Sequence, residues 1–161
     1  DFDSFLSEYK NKLAHIFKKE NETNGDALER GISQDNLTEI LKSTPLASFI
    51  PLEHGGFGGH TAEALSMLEA SSYESLPLSL MMGINGALFL QPIANYGTEE
   101  AKNDVFSRVI NKGKMGGLMI TEPDYGSEAL KMQTRVEYNA SNQHYSVKGT
   151  KHFFEVFLTT S

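Results

Sequence analysis

Near residue 113 the texture of this 161-residue chain changes, and no single kind of secondary structure suits both sides of the change. Before it, Phe2, Phe5, Leu6, Tyr9, Leu13, Ile16 and Phe17 recur at three- and four-residue steps. That spacing gathers them on one face of an amphipathic helix. After it, the stretches 118–121, 132–138, 144–148 and 153–160 are rich in β-branched and aromatic residues and are separated by Asn, Ser and Gly turns. That is the pattern of strands and hairpins. The sequence therefore predicts an α+β fold, with a helical domain over 1–113 and the beginning of a β-domain over 114–161.

Within the helical part, 35–42 reads as a short helix stopped by Thr44-Pro45, and 50–59 as a glycine-rich connection without regular structure. Thr61 is expected to cap a helix running to about Tyr73. A longer apolar helix covers about 78–96, with Pro92 as a kink or local break. Gly97 ends it, and Thr98 starts another whose first turn carries Glu99 and Glu100, favourably placed for the helix dipole. The segment 138–144 reads as a hairpin connection.

Charge and composition exclude several classes. The formal charge of −7 argues against a nucleic-acid partner, which calls for a basic face. The absence of cysteine excludes disulfides, thiolate nucleophiles and thiolate metal sites. The apolar region 76–90 is interrupted by Pro77, Ser79, Gly83, Asn85 and Gly86, which reads as too broken and too short for a bilayer span. The first residue is Asp1 rather than Met, and Ser161 falls inside strand-like sequence, so both ends read as cuts.

The segment Thr121-Glu122-Pro123-Asp124-Tyr125-Gly126-Ser127 lies between an apolar run and the strand-like region. It begins and ends on hydroxyls, is stiffened by Pro123 and passes through Gly126. Such a loop can present backbone N–H groups and short side-chain donors to an anionic or heteroaromatic ligand. By composition alone it is an ordinary turn.

Four segments taken in order resemble the acyl-CoA dehydrogenase family of flavoproteins. They are Ile50-Pro51 with the glycine-rich turn through Gly59, Pro92 to Glu100 (PIANYGTEE), Met119 to Pro123 with Gly126-Ser127, and Val147 to Lys151 (VKGTK). The resemblance implies an N-terminal helical domain, a middle antiparallel β-barrel domain of which this chain holds the beginning, and a C-terminal helical domain. It implies α,β-dehydrogenation of an acyl-CoA thioester, in which a carboxylate takes the α-proton while the β-hydride passes to FAD. Carried over by position, Leu118, Ile120, Thr121, Gly126, Ser127 and Phe153 would contact the flavin. Ser127 would also face the substrate's thioester-pantetheine end, and Met81, Ile84 and Leu88 would line the acyl pocket. The family's catalytic carboxylate comes from the C-terminal domain, so no catalytic residue is assigned here. A homodimer or homotetramer, an electron-accepting flavoprotein, and a bacterial cytoplasmic or mitochondrial-matrix location are further implications. An acyl-CoA oxidase, a flavin monooxygenase or a non-catalytic assembly module on the same scaffold is the alternative.

One departure from the family pattern stands out. Glu155 occupies the position where many relatives have a Thr whose hydroxyl approaches flavin N5. A turn omitted between Phe153 and Phe154 would account for it. Other features read more plainly. The glycines of 55–59 lack the GK[ST] of a phosphate loop and read as a structural turn. Gly149-Thr150-Lys151 reads as a strand-end turn. His54 and His60 near Glu53 and Glu63, and His144 with His152, give no set of three ligands, so no metal is expected. Glu122 is expected to accept hydrogen bonds from loop backbone rather than to act as an acid or base.

Overall fold

The computed structural model describes residues 1–24 and 31–152. It divides into two compact units, one of Asp1–Gly116 and one beginning at Gly117. The first unit contains α1 (Phe2–Asn24), α2 (Gln34–Leu41), α3 (Thr61–Glu74), α4 (Leu76–Gly83), α5 (Gln91–Tyr96) and α6 (Glu99–Lys112). Two 3-10 turns, Pro45–Phe49 and Leu52–His54, lie between α2 and α3, and a π-helical stretch, Ile84–Leu90, joins α4 to α5.

The periodic face of α1 does what its spacing requires. Tyr9, Leu13, Ile16 and Phe17 are buried and α1 packs against α3, where Met67 and Ala70 are buried too. The Tyr9 hydroxyl donates to Ser71 Oγ at 3.0 Å, and Ser71 donates onward to the Met67 carbonyl at 2.8 Å. Burial, opposed by the Ser71 bond, pushes the Tyr9 phenol up to about 12. Leu46, Phe49 and Ile50, from the first 3-10 turn and its end, extend the same core toward α3 and the π-helical stretch.

Helix boundaries follow local chemistry. Ser33, Ser75 and Thr98 each accept a hydrogen bond from the backbone N–H three residues on, capping α2, α4 and α6. Thr61 does not cap α3, contrary to the sequence expectation. It is the first helical residue, and His60 holds the cap position without a side-chain bond. Gly113 closes α6 with φ 58°, where its N–H reaches the carbonyls of Arg108 and Val109. The glycine-rich connection is structural, as expected, although Leu52–His54 makes one 3-10 turn inside it. A Cβ on Gly56 would lie 2.0 Å from the Ile50 carbonyl oxygen, so only glycine lets the backbone pass there.

Pro92 shapes the apolar helix. It has no N–H, and its ring crowds the carbonyl four residues back. The helix answers with a wider turn, seen in the Gln91 N–H bonding the Gly86 carbonyl five residues earlier. The run Leu76–Tyr96 thus continues unbroken for 21 residues with mean hydropathy 1.4. By length and composition it could cross a bilayer, which corrects the reading that it is too short. In this fold it is the central helix of the first unit, burying Leu78, Met81, Met82, Asn85 and Leu90.

The second unit holds a tight turn bridged between Glu122 and Tyr125, a 3-10 turn Ala129–Lys131, and an antiparallel hairpin of β1 (Arg135–Asn139) and β2 (His144–Lys148). The register pairs Val136 with Val147 and Tyr138 with Tyr145. Residues two apart share a face, so these four side chains line one side of the ribbon, all of them exposed. The expected strand over 118–121 does not form, since no strand among the described residues pairs with it. The strand expected from 132 begins at Arg135, because Glu122 takes the N–H groups of Gln133 and Thr134. The stretch 153–160 lies outside the described residues.

Candidate functional site

In the second unit, the Thr121–Ser127 turn is built around a buried carboxylate. Glu122 is 4% exposed. It accepts from Gln133 N–H at 2.6 Å and Thr134 N–H at 2.8 Å, and pairs with Lys151 Nζ at 3.1 Å. The Thr134 side chain, the Gln133 amide, the Thr134 amide and the Lys151 ammonium together outweigh burial and hold its carboxyl down to about 2. Thr134 Oγ1, buried beside it, makes no hydrogen bond of good geometry among the described residues. Glu122 is thus the backbone-fixing residue the sequence suggested, ionised at neutral pH and with both carboxylate oxygens engaged.

Lys151 uses all three of its N–H donors: on Glu122 Oε1, on the Ile120 carbonyl at 2.9 Å and on Met132 Sδ at 3.6 Å. The next residue continues the pattern, with His152 N–H donating to the Thr121 carbonyl at 2.9 Å. The segment 120–122 is therefore held along its carbonyl side by 151–152. Among the described residues, the Thr121 N–H and hydroxyl and the Ser127 hydroxyl make no hydrogen bond.

Gly126 lies in the same turn. It takes no left-handed φ, and a Cβ built on it would meet nothing within 4 Å. Neither its backbone conformation nor its described neighbours require glycine there. Leu118 and Ile120, both exposed, sit in the same extended segment as Thr121. Phe153, Phe154 and Glu155 lie outside the described residues.

In the first unit, Ile84 and Leu88 lie one turn apart on the π-helical stretch and line an open apolar groove of about 350 Å³ with Leu68, Leu76, Leu80 and Gly83. Among the described residues Ser79 is its only polar lining residue, and its hydroxyl is turned to the Leu68 carbonyl at 3.2 Å. Such a groove accepts alkyl surface and offers a polar group little. Met81 does not line it; at 1% exposure it packs in the core. No cluster of three or more metal-ligating side chains occurs among the described residues.

Sequence reasoning missed two residues. Lys151 was read as part of a plain turn, and only its approach to Ile120 and Glu122 shows its work. Asn85, 1% exposed, donates to the Met81 carbonyl at 2.9 Å and accepts from Gly116 N–H at 2.8 Å, fixing the end of the first unit. Its signal was available as a lone amide inside an apolar helix, which needs partners when buried.

Comparison with known proteins follows this geometry. The family profile "Acyl-CoA dehydrogenase, N-terminal domain" matches residues 11–113, well over half of the chain. An acryloyl-CoA reductase (NADH) of Anaerotignum propionicum is 31% identical over 104 residues, covering 65% of this chain and 26% of that protein. A short-chain specific acyl-CoA dehydrogenase of Megasphaera elsdenii is 28% identical over 149 residues, covering 88% and 38%. The chain thus spans well under half the length of these relatives. Butyryl-CoA dehydrogenase of Megasphaera elsdenii shares the fold with TM-score 0.77 at 21% identity, over 93% of this chain and 40% of that one. An acyl-CoA dehydrogenase of Bacillus anthracis, solved complexed with FAD, does so with TM-score 0.68 at 21% identity, over 95% and 26%. The chain belongs to the acyl-CoA dehydrogenase family, whose N-terminal domain it carries.

Proposed function

We propose that this chain forms the amino-terminal, flavin-gripping part of an FAD-dependent enzyme that oxidises an acyl-CoA thioester between its α and β carbons. The observation that carries this reading is the donor set of the Thr121–Ser127 turn, which no described residue takes up. The Thr121 N–H and hydroxyl suit the carbonyl and nitrogen edge of an isoalloxazine, Leu118 and Ile120 its apolar ring face, and Gly126 with Ser127 a diphosphate or thioester-pantetheine chain. The flavin, when bound, supplies the two-electron acceptor. Glu122, held ionised and saturated with donors, is unsuited to moving a proton and serves only to shape the turn.

The groove of Ile84, Leu88, Leu80 and Leu76 binds the alkyl part of the substrate, and its lack of free polar groups favours unsubstituted chains. The proton-abstracting carboxylate is supplied outside residues 1–161. The whole enzyme is a homodimer or homotetramer, found in a bacterial cytoplasm or mitochondrial matrix, and passes its electrons to a flavoprotein acceptor.

Reaction direction gives a second reading, favoured by the 31%-identical relative named as an acryloyl-CoA reductase. The same constellation would then reduce a 2-enoyl thioester. Both readings are tested by isolating the whole protein, recording its visible absorption, and adding a saturated or a 2-enoyl acyl-CoA without oxygen. Bleaching of a bound-flavin spectrum by the saturated thioester supports dehydrogenation, and reoxidation of the reduced protein by the enoyl thioester supports reduction. A colourless protein that takes up no added FAD defeats both.

A further inference from the structure

Lys151 lies where it controls one peptide plane. Its side chain is 16% exposed, and its ammonium is spent on the Ile120 carbonyl, Glu122 Oε1 and Met132 Sδ. In a planar trans peptide the C=O and the following N–H point in opposite directions. Drawing the Ile120 carbonyl toward Lys151 therefore turns the Thr121 N–H to the opposite side of the chain. The next peptide is fixed at both ends: the Thr121 carbonyl accepts from His152 N–H, and Glu122 N–H is taken by the Tyr125 carbonyl at 3.4 Å. Between these constraints, Thr121 N–H is the donor left without an acceptor among the described residues.

We propose that Lys151 is a positioning residue for flavin binding: by gripping the Ile120 carbonyl it aims the Thr121 N–H at the cofactor. Glu122 is its anchor. Two backbone N–H groups hold the carboxylate, which in turn holds the ammonium, so the grip originates in the start of the hairpin. An ammonium suits this place because its three donors diverge from one atom, whereas the planar fork of Arg would place its N–H groups farther out and in one plane. The inference rests on the flavin reading of the turn, but the aiming of the peptide is a property of the protein alone.

The test compares Lys151→Met with Glu122→Gln in the whole protein. Lys151→Met removes the grip on Ile120, and Glu122→Gln keeps it while weakening the anchor. Two measurements are made on each: backbone amide order at Ile120 and Thr121 by NMR in flavin-free protein, and the FAD dissociation constant. Lys151→Met is expected to lower order at Thr121 and weaken FAD binding roughly tenfold, the worth of about one hydrogen bond. Glu122→Gln should weaken it less. Lys151→Arg should not restore tight binding. Equal losses in the two first variants, restoration by Arg, or an unchanged Thr121 amide in Lys151→Met would each overturn the proposal. If the unaltered protein itself takes up no FAD, the flavin reading fails, while the order measurement still decides whether Lys151 sets the peptide.

Discussion

Asn85 offers the sharpest test of how the first unit is closed. Replacing it with Ala removes the acceptor of the Gly116 N–H and the donor to the Met81 carbonyl. The two losses are unequal. The Met81 carbonyl also receives the Ile84 N–H and stays satisfied. The Gly116 N–H, half-buried, has no other partner among the described residues, and stranding it costs about 1–2 kcal/mol. Truncating a side chain that is 1% exposed leaves a small void worth roughly another 0.5–1 kcal/mol. A loss near 2 kcal/mol is thus expected, equivalent to a fall of about 8 °C in Tm for a unit this size. Urea unfolding gives the total, and hydrogen exchange at Gly116 gives the local share.

The Asp variant separates hydrogen bonding from packing. Asn85→Asp keeps an oxygen for Gly116 N–H but buries a charge, so at neutral pH it should be less stable than Asn85→Ala. Its folded pKa would lie above the unfolded value, so the protonated form is favoured in the native state. Stability should accordingly recover on acidification and fall as pH rises through that raised pKa. Unchanged exchange protection at Gly116 in Asn85→Ala, with a stability loss under about 0.5 kcal/mol, would refute the reasoning.

Three further outcomes follow from the same structure. Gly86→Ala would place a Cβ 2.5 Å from the Phe49 ring, itself 4% exposed, so a loss of about 1–3 kcal/mol in urea unfolding is expected. Tyr9 stabilises the fold as a neutral phenol, and because its folded pKa of about 12 exceeds the ordinary 10.0, that contribution is intact below pH 10 and lost as pH rises toward 12. Tyr9→Phe should abolish this alkaline component, up to roughly 3 kcal/mol, while costing only about 1 kcal/mol at neutral pH; parallel alkaline profiles for the two proteins would contradict it. Glu122 has the opposite sign: its folded pKa near 2 lies below the usual 4.5, so its contribution is present above pH 4.5 and lost as pH falls toward 2. Exchange at the Gln133 and Thr134 amides should accelerate over that window in the native sequence, and already be fast and pH-independent in Glu122→Gln once the intrinsic rate is divided out.

What was legible in the sequence was what local chemistry decides. The face of α1, the start of α6 at Thr98 and its end at Gly113, and the hairpin connection all depend on residues within a few positions of one another. The misreadings arose where a distant group intervened. The strand expected from 132 starts at Arg135 because a carboxylate eleven residues earlier takes its first N–H groups. Position 85 reads as an interruption of an apolar run, yet its amide is satisfied by a backbone group 31 residues on. The residues expected to face a flavin were drawn from resemblance in the motif; composition alone marked an ordinary turn.

The same residues show where the described fold closes on itself and where it stays open. Each side-chain nitrogen and oxygen of Glu122, Lys151 and Asn85 has a hydrogen-bond partner, and each residue ties together segments apart in sequence. By contrast, the Leu76–Leu88 groove, the Val136, Tyr138, Tyr145 and Val147 face, and the Thr121 and Ser127 donors are formed but unfilled by the described residues. Exposed apolar faces of this kind are unfavourable in water and call for a covering surface. For that reason residues 1–161 produced alone should aggregate or hold FAD weakly, and a monomeric, flavin-loaded preparation would show that the open faces need no covering.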